Sequence, residues 1–281
     1  MKLFRVFFSA NVLIAFCLLT SSSHLTSCTK EDIHDTLVIH DTTVITDTFC
    51  DVNAGMIAYY NFKDGSLLDG SGKNNHIVLN SDAILTADRF GNPNGAFLFD
   101  GTSSYMKVPN SPSLNPQNIT IMAIVKAKGF YMGTCHASEI IGKGYPDNTL
   151  GYYNLRIVDP YGDCYGPPLT DQEFFAASFG DDIPQGRASG ATSDSVAIQL
   201  ERWYNVIYTY DGKESRLYVD GQLKGVEVKD ITFTPNDHDV FIGRHEDPDF
   251  PYNFNGVIDE LRLYDHALCQ GDITRLNQMT K

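Results

Sequence analysis

Two adjacent carboxylates, Asp259 and Glu260, stand in the stretch FNGVIDELRLYDHAL, Phe254–Leu268. Glycosidic-bond hydrolysis needs a pair of carboxyl groups that reach one sugar from opposite sides, about 5–9.5 Å apart. The stretch reads as a strand, however, and successive strand side chains point to opposite faces. Val257, Asp259, Leu261 and Leu263 are then expected on one face, and Ile258, Glu260, Arg262 and Tyr264 on the other. On that reading the two acids do not converge. Glu260 pairs with Arg262 along its own face, and Asp259, on the leucine face, needs loop backbone or a cation.

No other stretch offers a catalytic constellation. The acidic run HEDPD, 245–249, holds a Pro and no apolar neighbours, so it reads as a solvated loop or a weak cation site. His-Glu-x-x-His, Gly-x-Ser-x-Gly and phosphate-loop patterns are missing and the eight histidines are dispersed. The chain therefore reads as a non-enzyme. For sugar binding, aromatic faces beside planar polar groups are the useful chemistry. Tyr152, Tyr153, Tyr161 and Tyr165 with Arg156 form the best such cluster, while the single tryptophan, Trp203, reads as core.

A formal charge of −14 argues against nucleic acid, whose phosphates would be repelled. At the N-terminus, Lys2 and Arg5 precede VFFSANVLIAFCLLT, an apolar run too short for a membrane span, and then LTSC, Leu25–Cys28. This resembles a bacterial lipoprotein precursor cleaved before Cys28, whose acyl chains then anchor the protein to the membrane. TKED, Thr29–Asp32, resembles the surface-export signal of Bacteroidota lipoproteins, which implies an outer-membrane lipoprotein exposed at the cell surface. Cys50, Cys135, Cys164 and Cys269 remain for disulfides in an oxidising compartment. Three connectivities are open; Cys135–Cys164 with Cys50–Cys269 is favoured, the second stapling the domain ends.

Three segments follow: a signal peptide over 1–27, an extended tether over 28–52, and one folded domain over 53–281. In the tether Asp-Thr recurs at Asp35, Asp41 and Asp47, a period of six that suits neither a helical stripe nor a single clean strand. The domain consists of short β-type runs between turn signals. RWYNVIYTYDGKESRLYVDGQLKGVEV, for instance, places two Asp-Gly turns between alternating segments, the signal for consecutive hairpins. CQGDITRLNQM supplies at most a short turn of helix. The expected class is all-β, a two-sheet antiparallel β-sandwich.

Four stretches in order resemble the laminin-G-like jelly roll of the concanavalin A-like lectin/glucanase superfamily. They are GMIAYYNFKDGSLLDGSGKNNH, DRFGNPNGAFLFDGTSSYMKVPNSPSLNP, RWYNVIYTYDGKESRLYVDGQL and VFIGRHEDPDFPYNFNGVIDELRLYDHAL. Residues 129–200 depart from the pattern, and loops of that kind carry specificity. The alternating acids of the glucanase branch do not occur in this sequence. The resemblance implies a rim-bound Ca²⁺, with Asp69, Asp100 and Asp259 as candidate oxygen donors. It also implies a non-catalytic module for glycan, or alternatively for a surface protein as an adhesion or scaffold domain, with a glycoside hydrolase as the least favoured reading.

Overall fold

The structure, a computed structural model, describes residues 36–39, 43–46, 51–144, 150–159, 172–181, 189–192 and 197–280. It divides the chain into two units, Met1–Asp47 and Thr48–Lys281. In the first, Thr36–Ile39 (β1) and Thr43–Thr46 (β2) pair antiparallel, with Val38 opposite Val44. Both strands lie within the segment read as a tether, and each carries one of the β-branched pairs, Val38-Ile39 and Val44-Ile45, that stand between its Asp-Thr repeats.

The second unit holds fifteen described strands and one helix. The first eight strands are Met56–Tyr60 (β3), Leu79–Ser81 (β4), Ile84–Thr86 (β5), Ala96–Asp100 (β6), Tyr105–Val108 (β7), Ile119–Gly129 (β8), Ala137–Lys143 (β9) and Tyr152–Val158 (β10). Phe174–Gly180 (β11), Ser189–Thr192 (β12), Trp203–Tyr210 (β13), Glu214–Val219 (β14), Gln222–Val228 (β15), Val240–Ile242 (β16) and Asn255–Tyr264 (β17) complete them. Gln270–Met279 forms α1. One sheet has the order β12-β11-β10-β9-β16-β7-β4 and the other β15-β14-β13-β8-β17-β6-β5, with β3 also paired to β17. Every pairing is antiparallel, as expected for this fold class.

Alternation builds the core. Ile121, Ala123 and Val125 of β8 and Val206 and Tyr208 of β13 face inward, against Tyr153, Leu155 and Ile157 of β10 and Phe175 and Phe179 of β11. Phe179 stacks on Phe233 with ring centres 4.6 Å apart. Both Asp-Gly turns form where alternation demands them, joining β13 to β14 and β14 to β15. At the second, Asp220 and Gly221 both have positive φ, 53° and 78°, the conformation a tight two-residue hairpin turn needs.

The tail is more than a short turn. α1 spans ten residues because Ile273 and Leu276, three apart, share a face that covers a second apolar cluster. That cluster, with Met122, Ile124, Ile207, Tyr218 and Tyr264, lies on the outer side of the eight-stranded sheet. The helix therefore adds a third layer.

Candidate functional site

The paired acids do not follow simple alternation. β17 pairs with β8 at Ile258↔Val125 and next at Glu260↔Ile124, which leaves Asp259 as the extra residue of a β-bulge. Ile258 enters the inter-sheet core, and Val257 lies opposite Lys126, so the expected face of each is exchanged. Asp259 is turned off the leucine face toward Arg89. There its Oδ2 accepts from the Arg89 backbone N–H at 2.9 Å and from NH1 at 2.8 Å. NH2 of the same guanidinium donates to Glu260 Oε2 at 3.2 Å, and Arg262 Nε donates to Glu260 Oε1 at 2.6 Å, the ion pair its spacing forecast. Burial pushes the Asp259 carboxyl above its ordinary range, against the pull of Arg89. Both acids are engaged in ion pairs, and their structural work is to fix Arg89.

Arg89 leads into a groove of about 600 Å³ on the outer side of the eight-stranded sheet, beside α1. Arg89 and Phe90 form one wall, Trp203 and Asn205 of β13 rise from the floor, and Asp220, Gln222 and Lys224 come from the β14–β15 hairpin. Asn277 and Thr280, at the end of α1, close it. Phe90 is 56% exposed, and the Arg89 guanidinium lies 4.4 Å from its ring centre. Trp203, at the start of β13, is half-buried and packs against the apolar cluster that α1 covers, not in the inter-sheet core. Its cross-strand partner Lys126 holds Nζ 5.0 Å from the ring centre and is not itself a lining residue. Arg89 Nε, Asn205 Oδ1 and Asn277 Oδ1 are buried without a hydrogen-bond partner, and groups in that state call for one. Asp220 is the single acid among the described lining residues.

Of the tyrosine cluster, the described members Tyr152 and Tyr153 are buried. Tyr152 is 2% exposed and Tyr153 0%, and Tyr153 belongs to the inter-sheet core. Adjacent positions on β10 must face opposite ways, so Arg156 shares a face with Tyr152 and not with Tyr153. Tyr161 and Tyr165 lie outside the described residues, as do Cys28, Cys50 and Cys164. Cys135 is disulfide-bonded. Cys269 is the N-cap residue of α1 and its thiol donates to Asp272 Oδ2 at 3.4 Å, while Cys50, its expected partner, lies among the residues not described.

Each of the three candidate cation ligands is hydrogen-bonded within the protein. Asp69 accepts from the backbone N–H groups of Tyr59, Ser71 and Asn75, locking its turn. Asp100 gathers those of Thr102, Ser103 and Ser104; against the effect of its burial, these hold it far below the usual carboxylate range. Asp259 holds Arg89. Among the described residues no group of three His, Cys, Asp or Glu side chains is placed to share a metal ion.

One more buried polar group lies on the outer face of the seven-stranded sheet. Glu139 of β9 is 0% exposed, pairs with Arg156 in register, and accepts from Asn154 Nδ2 at 3.2 Å, while its Oε1 has no partner. Gly142 makes room for it, since a Cβ there would meet Oε1 at 2.2 Å. Burial pushes the Glu139 carboxyl up to about 8, although Arg156 and Asn154 oppose the shift.

With this geometry in hand, the chain can be set beside known proteins. No curated protein matches it. Among solved structures, domain 4 of AbnA, a GH43 extracellular arabinanase from Geobacillus stearothermophilus in complex with arabinotriose, is 21% identical. The match covers 79% of this chain and 98% of that one, at a TM-score of 0.52. The binding domain of Paraclostridial Mosquitocidal Protein 1 is 13% identical at a TM-score of 0.61, and that of botulinum neurotoxin DC in complex with SialylT is 14% identical at 0.58. Each of these two matches covers 82% of this chain, which spans about half, 53%, of the toxin structures. At these identities the likeness is one of fold. The Laminin_G_3 model of the concanavalin A-like lectin/glucanases superfamily matches residues 100–274, and the chain belongs to that superfamily.

Proposed function

We propose that this chain is a non-catalytic binding module that takes glycan in the groove beside α1. The observation that carries the reading is the lining itself: an exposed aromatic ring at Phe90 and a half-buried one at Trp203 flank the planar polar groups of Arg89, Asn205, Gln222 and Asn277. Flat apolar faces beside a few fixed donors and acceptors are what recognition of a pyranose or furanose needs. The arabinotriose and SialylT complexes lend support, because they are structures of similar fold solved with a sugar bound. The test is a glycan array probed with the chain lacking residues 1–28. A hit is expected that weakens roughly 30-fold on Trp203→Ala, the loss of one aromatic anchor worth about 2 kcal/mol. No binding to any glycan, or binding indifferent to Trp203→Ala, would remove the groove reading. It would favour the protein-binding alternative, which the complex of the neurotoxin DC binding domain with rat synaptotagmin II keeps in view.

The same proposal places the module outside the cell on a lipid at Cys28, on the strength of the Leu25–Cys28 motif. Cys28→Ala is expected to shift the protein from the membrane fraction to the soluble one. Persistence in the membrane pellet would contradict the anchor.

A further inference from the structure

The groove is cationic on an acidic body. The chain carries a formal −14, yet three of the described lining residues are Arg89, Arg202 and Lys224 against a single acid, Asp220. Asp220 Oδ2 is taken by Arg202 at 2.6 Å, and Asp259 and Glu260 behind the wall are held by Arg89 and Arg262. Lys224 has no acidic partner within 4.0 Å among the described residues. Outside the lining, Lys126, beside the Trp203 ring, and Lys128 share one carboxylate, Glu201, at 3.9 and 2.7 Å. The acids are therefore spent on arginines, and surplus positive charge is left at Lys224 and beneath Trp203. A cleft lined by one sign of charge concentrates ligands of the other sign, more so where the rest of the surface repels them.

Resting on the reading of the groove as a glycan site, we propose that its ligand is an anionic oligosaccharide bearing carboxylate or sulfate groups. Its sugar rings stack on Trp203 and Phe90, and its charges meet Lys224 and Arg202. A neutral glycan would leave the Lys224 ammonium idle; an anionic one uses it.

The test titrates the chain lacking residues 1–28 with three probes of equal length: oligogalacturonate (carboxylate only), a sulfated neutral-backbone oligosaccharide, and a neutral galactan. At 20 mM NaCl at least one charged probe is expected to bind roughly ten-fold or more tighter than the neutral one. That preference should shrink at 500 mM NaCl as screening sets in. The arm that binds identifies the charged group. Lys224→Glu should cost the charged probe about ten-fold and cost the neutral probe less. Equal binding of neutral and charged probes, all lost in Trp203→Ala, would overturn the anionic class and leave the groove reading standing. Charged-probe binding that survives Trp203→Ala would show a different site and overturn this proposal. Binding of no probe, with none on the array either, would remove it together with the reading it rests on.

Discussion

Replacing Glu139 by Gln is expected to stabilise the domain at pH 8 and to leave it almost unchanged near pH 4.5. The Glu139 carboxyl is fully buried on β9 and is pushed up to about 8, whereas in the unfolded chain it titrates near the ordinary value of 4.5. Between those two pH values the folded state holds a proton that the unfolded state has released, so stability falls as pH rises. The slope from this group alone is roughly 1.4 kcal/mol per pH unit. A glutamine keeps the shape and the Asn154 contact but does not ionise. The difference between variant and parent at pH 8 is therefore expected on the order of 2–4 kcal/mol, or roughly 5–10 °C in Tm for a domain of this size. Thermal melts of both proteins from pH 4.5 to 8.5 check it. A constant gap across that range would mean that Glu139 stays ionised beside Arg156. Glu173, pushed up to about 7 by burial and by Asp159, acts with the same sign, and the Glu139 comparison holds it fixed.

Arg89→Ala is expected to cost on the order of 3 kcal/mol, because it leaves buried carboxylates short of their cation. Only 13% of the Arg89 side chain is exposed, and 5% and 6% of those of Asp259 and Glu260. Asp259 suffers more, since Glu260 retains Arg262. Freed of Arg89, the Asp259 carboxyl rises further above its unfolded value, so the penalty is larger at pH 8 than at pH 5. Asp259→Asn added to Arg89→Ala should recover part of the loss, because a buried amide costs less than a buried unpaired charge. Urea melts of both variants decide the matter. A double variant less stable than Arg89→Ala alone would contradict the assignment. Phe90 is held next to Arg89, so Arg89→Ala should also weaken glycan binding.

These two sites show how far sequence reaches in this protein. The hairpins on either side of Glu214–Val219 were legible because Asp-Gly turns and period-two alternation are local signals. Glu260–Arg262 was legible because two residues along a strand share a face. The partner of Asp259 was not: Arg89 is 170 positions away, and only the bulge between Ile258 and Glu260 turns the carboxylate toward it. One extra residue reverses a face assignment, and composition does not announce it. Tyr152 and Tyr153 illustrate the opposite failure. Alternation already separates them, so aromatic clustering along the chain does not amount to clustering in space. Trp203 reads as core from its strand, yet it is half-buried on the outer face, against the cluster that α1 covers. The groove joins the loop before β6, two strands, a hairpin and the end of a helix, none of which carries a local signature of the others.

The groove reading has a direct optical test, because Trp203 is the only tryptophan in the chain. Its fluorescence should change saturably when the chain lacking residues 1–28 is titrated with a glycan that binds it. The midpoint should match the affinity obtained by calorimetry, since a ring on the groove floor changes environment when sugar covers it. Calorimetric binding of the same glycan with no change in tryptophan emission would place the ligand elsewhere and contradict the account.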